Sequence, residues 1–145
     1  MSYDILICDP TTVPTTNPTD FLNWYDNATQ YNEDRDYNTT EGTTHTLTAF
    51  FDDIRKHYPP MNGPHAIDED ELDDYFAHSP EPVFDDVITD YTIGTNFIYA
   101  AFAWSQADKA KQLAHTLATQ HSLVFVDISE TTTLHHPDGT TTPTQ

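Results

Sequence analysis

Apolar positions fall in the chain in two rhythms, one of period two and one of period three to four. Tyr3 to Cys8 is a short continuous apolar run halted by Asp9-Pro10, which reads as a buried strand. Val87, Thr89, Tyr91 and Ile93 alternate with Ile88, Asp90 and Thr92, and Phe97 to Trp104 is apolar on both faces. Gly94-Thr95-Asn96 lies between these last two runs and can supply the positive φ of a short hairpin loop. The hairpin of residues 87–104 is therefore the expected centre of the core, with its second strand interior to a sheet. Leu123 to Ile128 is one more apolar strand, and Leu134 with the His136-Pro137-Asp138-Gly139 turn suggests an edge hairpin in the Thr-rich end.

The helical rhythm occurs three times. Asn17-Pro18 offers a cap and a first-turn proline before the stripe Phe21, Leu22, Tyr25 and Ala28, with Trp24 at its margin. Leu47, Phe50, Phe51, Ile54 and Tyr58 follow Thr44 at helical spacing, with Arg55, Lys56 and His57 in the last turn and Pro59-Pro60 as the stop. Ser105 to Asp108 matches a capping box ahead of Ala110, Leu113, Ala114, Leu117 and His121. A shorter amphipathic helix is suggested by Leu72, Tyr75 and Phe76.

The resulting order, β-α-α-β-β-α-β, predicts an α+β fold: a ferredoxin-like α/β sandwich, mostly antiparallel, with helices on one face of the sheet. The length of 145 residues suits a single domain, with a core over 3–129, an acidic loop over 66–86 and a flexible Thr-rich tail over 130–145.

Charge changes this picture most. There are 24 acidic residues against five basic ones, a formal net charge of −19. Such a field repels nucleic acid and anionic membranes and attracts basic proteins, so neither direct nucleic-acid binding nor a membrane role is expected. An acidic surface also serves solubility or salt tolerance. No run approaches the roughly 20 apolar residues of a membrane span, and Met1 to Asp4 lacks the basic start of a signal peptide, so a cytoplasmic protein is expected. The lone Cys8 lies in an apolar run and reads as a buried thiol.

Candidate chemistry is sparse. The eight histidines lack a metal-ligand spacing, and His115 and His121 fall on different faces of one helix. Asp68-x-Asp70-x-x-Asp73 resembles a calcium loop but lacks the glycine at its sixth position and the acid at its twelfth, where Ser79 stands. No nucleophile elbow surrounds Ser105, and no phosphate-binding glycine loop exists among four glycines. No catalytic residue, metal or cofactor is expected, and the chain does not read as an enzyme. Two acidic segments hold aromatic rings among carboxylates: Glu33, Asp34, Asp36 and Tyr37 after the first helix, and Asp68 to Asp74 with Tyr75 and Phe76 after the second. Carboxylates pair with Arg and Lys while rings anchor by area and cation–π contact, which suits a basic protein partner. The residues expected to bind it are Glu33, Asp34, Asp68, Asp70, Asp73, Asp74 and Tyr75.

Pro59-Pro60-Met61-Asn62-Gly63-Pro64, Asp90-Tyr91-Thr92-Ile93-Gly94 and Ile98-Tyr99-Ala100-Ala101-Phe102-Ala103-Trp104-Ser105-Gln106-Ala107 together resemble a family of small acidic bacterial proteins. Tyr3-Asp4-Ile5-Leu6 and the segment Trp24, Glu33, Asp34, Tyr37 fit it too, so the likeness runs over residues 3–129. That family is largely uncharacterised and implies no reaction. In size, charge and type the chain is also similar to immunity proteins, which neutralise basic nuclease toxins exchanged between bacteria. The expectation is an immunity-type protein that binds a basic toxin domain. The alternative is a small enzyme or ligand-binding module with a pocket near Trp24, Glu33, Asp34 and Trp104.

Overall fold

A computed structural model describes residues 2–67 and 84–144. The predicted partner-binding positions Asp68, Asp70, Asp73, Asp74 and Tyr75, and the short helix expected around Leu72, lie outside the described residues.

Strand β1 (Ser2–Cys8) is the middle of the sheet. It pairs antiparallel with β3 (Phe97–Ala103) on one side and with β4 (Val124–Asp127) on the other. The full order is β2-β3-β1-β4-β5-β6, with β2 spanning Asp90–Ile93, β5 Thr133–His135 and β6 Thr141–Pro143. Every neighbouring pair is antiparallel, and helices pack against the sheet, so the fold is α+β. The edge hairpin expected in the Thr-rich end is β5–β6, and Leu134 within it is fully buried.

Alternation along β3, β1 and β4 builds two separate cores. Tyr3, Ile5, Ile7, Ile98, Ala100, Phe102 and Phe125 meet the helices α2 (His45–Ile54) and α4 (Ala107–Gln120) on one face. Leu6, Cys8, Phe97, Val124 and Val126 meet Phe21 of α1 (Pro18–Ala28) on the other. The helices were expected on one face; α2 and α4 share a face, whereas α1 takes the opposite one. The reason is visible in β1 and β4, which are apolar on both sides and need cover twice. Burying the whole Phe21 ring contributes about 2 kcal/mol to holding α1 there.

Local signals succeed where the physics is local. The Asn17 side chain accepts hydrogen bonds from the amides of Thr19 (2.9 Å) and Asp20 (3.1 Å), with Pro18 in the first turn. The capping box at Ser105 does not form. Trp104–Gln106 is a tight 3₁₀ turn, α4 begins only at Ala107, and the Ser105 hydroxyl donates instead to Asp86 Oδ1 at 3.2 Å. Strand β2 also begins later than its alternation suggested, because Phe84–Val87 is a helical turn, α3. Thr89 is held beside Pro60 by long-range pairing: its amide donates to the Pro59 carbonyl (2.9 Å) and its carbonyl accepts from the Met61 amide (2.8 Å). Gly94 is required for space rather than for a positive φ, since a Cβ there would collide with the Phe97 ring.

Candidate functional site

Residues 31–44 leave α1 and wrap the end of the β2–β3 hairpin. This segment has few apolar side chains, so hydrogen bonds must hold it in place. The Ile93 amide donates to the Tyr37 carbonyl at 2.8 Å, and the Thr44 amide donates to the Thr95 carbonyl at 2.9 Å. The Thr43 hydroxyl donates to the Gly94 carbonyl at 2.9 Å. Arg35 organises the interior of the loop: its guanidinium donates to the Thr39 carbonyl (2.9 Å), the Thr43 hydroxyl (3.0 Å) and the Thr95 hydroxyl (3.4 Å).

Glu33 faces inward to this framework. Its carboxylate accepts the Thr95 amide at 3.1 Å and a short hydrogen bond from the Thr95 hydroxyl, while its own amide donates to the Tyr37 hydroxyl at 2.8 Å. Glu33 is therefore a staple. Asp34 is exposed, and with Asp36, Glu41, Arg35, Thr39 and Gly42 it lines a shallow cup of about 280 Å³. In the same loop, Tyr31 stands edge-on to Tyr37 with ring centroids 5.6 Å apart; its backbone has φ +55 and its side chain remains 39% exposed. A left-handed tyrosine is held against its own preference, here by the loop that contains it.

The two tryptophans do not share a pocket. Trp24 packs on Phe21 (5.6 Å between centroids) and Phe97 (5.8 Å), at the start of β3. Trp104 follows the other end of β3, half-exposed and edge-on to Tyr3 at 6.3 Å. Seven extended residues separate them by about 20 Å. Glu33, Asp34 and Trp24 belong to one end of the sheet; Trp104 belongs to the other.

Three further clusters were not visible in the sequence. Asp9 is buried at the end of β1 and accepts from the Thr11 amide (3.0 Å), the Thr11 hydroxyl (2.7 Å) and the Thr46 hydroxyl (3.3 Å). Burial opposes its charge, but these donors outweigh burial and hold the carboxyl below its ordinary pKa. Asp127, also buried, pairs with Lys111 at 3.1 Å, and Lys111 reaches Glu130 at 3.2 Å. Burial, and then the Asp127 charge beside it, push the Tyr3 hydroxyl well above the ordinary tyrosine pKa, although no aligned hydrogen bond joins the two. His115 on α4 and His135 on β5 lie together over Phe125; burial and then the neighbouring His115 lower the His135 pKa.

A larger hollow of about 540 Å³ lies between the segment carrying Pro10, Thr15 and Thr16 and the β5–β6 turn. On the β5–β6 side, His136 Nε2 meets the Thr142 hydroxyl at 2.7 Å, and Asp138 accepts from the Thr140 amide and hydroxyl. The Cys8 thiol is fully buried and pushed above its ordinary pKa by that burial, which makes it a poor nucleophile. Among the described residues, no group of three or more His, Cys, Asp or Glu side chains is placed to hold a metal ion. No described helix is long and apolar enough to cross a membrane. Comparison with family models, with curated proteins and with solved structures found no match to the chain.

Proposed function

We propose that this chain is a cytoplasmic binding protein of the immunity type, which engages a basic toxin domain, of the nuclease class, through the 31–44 loop and its acidic surroundings. The observation that carries the reading is the fastening of that loop. Arg35 and Glu33 spend their charges inside it, leaving Asp34, Asp36 and Glu41 exposed around a cup, while the same loop carries the partly exposed ring of Tyr31. A loop already ordered loses little entropy on binding, so its carboxylates and ring are available as contact groups.

The distribution of cations supports the same reading. Arg55 pairs with Asp52 (3.3 Å), Lys56 with Asp53 (3.8 Å), and Lys111 with Asp127 and Glu130. The surrounding field stays strongly negative, which speeds encounter with a basic partner and makes it salt-sensitive. Aromatic contact at Tyr31 would then govern residence time.

Titration of purified basic nuclease domains against the chain over a range of salt tests this. A cognate domain binds with an affinity that falls steeply with salt, and Asp34→Lys with Glu41→Lys weakens it about tenfold or more. Equal affinity for the double variant at every salt concentration removes the loop from the interface.

A further inference from the structure

His115 and His135 belong to different elements, α4 and β5, yet the fold sets their ring centroids 5.0 Å apart with 54° between the ring planes. Phe125 fixes both. It is fully buried, and it stacks on His115 at 5.2 Å and meets His135 at 5.6 Å. Both imidazoles are half-buried. Beside His115, α4 borders an open hollow of about 290 Å³ shared with Thr116, Thr119 and Gln120.

Two imidazoles sharing one ion can adopt this spacing. An imidazole nitrogen ligates zinc at about 2.0–2.1 Å, which puts each ring centre about 3.2 Å from the ion. Two such rings at a tetrahedral angle have centres about 5.2 Å apart. We propose that His115 and His135 form a two-imidazole site for a divalent transition ion of the Zn²⁺, Cu²⁺ and Ni²⁺ class, with water completing the coordination shell.

The charges around the pair permit a cation. Lys111 lies one turn before His115 on α4, but its ammonium is engaged by Asp127 and Glu130. His136 is turned away to Thr142. The net charge of −19 attracts cations to the whole surface, and imidazole rather than carboxylate selects the borderline metals over Ca²⁺ and Mg²⁺. The site is independent of the acidic loop and does not rest on the proposed partner.

The test is calorimetric titration of Cu²⁺ and Zn²⁺ into the full, tag-free chain, alongside His115→Asn, His135→Asn, His121→Asn and His136→Asn. One equivalent binds, with Cu²⁺ tighter than Zn²⁺ as expected for nitrogen ligands. Affinity falls about tenfold or more in either His115→Asn or His135→Asn and is unchanged in the other two variants. A second measurement guards against misfolding of the variants: in the wild-type chain, Zn²⁺ shifts the ring resonances of two histidines, His115 and His135, before the rest. Absence of stoichiometric binding overturns the proposal, as does binding that survives loss of both imidazoles or first shifts other histidine rings.

Discussion

The Glu33 carboxylate accepts the Thr95 amide at 3.1 Å across 62 positions of chain, and this contact fastens the acidic loop to the β2–β3 hairpin. A residue that looked in the sequence like a free contact group is a structural tie. Its replacement by alanine should cost about 1 kcal/mol in urea unfolding, less than the roughly 1.5–3 kcal/mol of a buried hydrogen bond to a charged group, because the site reaches water. Amide exchange at Thr95 should quicken in the same variant. Unchanged exchange at Thr95 would mean that the carboxylate contributes nothing to loop order.

Asp9 predicts an acid limb in stability. Its carboxyl sits below its ordinary pKa in the folded chain. The stabilisation is therefore complete above the ordinary carboxylate pKa and is lost as pH falls through the lower folded value. Asp9→Asn should destabilise the protein by about 1–3 kcal/mol at neutral pH and lessen the fall in stability on acidification. Chemical denaturation between pH 7 and pH 3 measures both effects, and parallel wild-type and variant profiles would contradict the assignment.

The Lys111–Asp127 pair is asymmetric: Asp127 is buried and Lys111 reaches solvent. Lys111→Met should cost about 2 kcal/mol, less than for a wholly buried pair because water reaches the lysine end. Adding Asp127→Leu should recover part of that loss, because the stranded charge is then gone. A double variant less stable than Lys111→Met alone would show that Asp127 acts mainly through its bond to the Glu130 amide at 3.3 Å.

Gly94→Ala forces the Phe97 ring to move, and Phe97 is buried against Trp24 and α1. A loss of about 1–3 kcal/mol is expected from such overpacking, with altered near-ultraviolet circular dichroism from Trp24. A variant as stable as wild type with an unchanged Trp24 signal would show that the hairpin end yields freely.

The sequence made legible those features that neighbouring residues decide. The Asn17 cap, the apolar runs of β1, β3 and β4, and the stripes of all three longer helices follow from local spacing. The side of the sheet that α1 covers was not legible, because the stripe Phe21, Leu22, Tyr25 and Ala28 fits either face of a sheet that is apolar on both. Val87 read as strand because it continues an alternation, yet the pairing of Thr89 with the Pro59–Met61 segment starts β2 only at Asp90. Of the expected partner-binding residues within the described chain, Asp34 lies at the cup and Glu33 is consumed beneath it. The Arg35 network and the His115–His135 pair join residues that only the fold brings together, and no spacing rule reaches them.

The proposed neutralisation of a basic domain acts through the exposed acids of the 31–44 loop. The most direct measurement is the activity of a basic nuclease toxin domain titrated with this chain, beside the Asp34→Lys, Glu41→Lys variant. Full inhibition at one equivalent is expected of the wild-type chain, and inhibition by the variant only at much higher concentration. Inhibition by the variant at the same single equivalent, or none by either protein with any domain of that class, would contradict it.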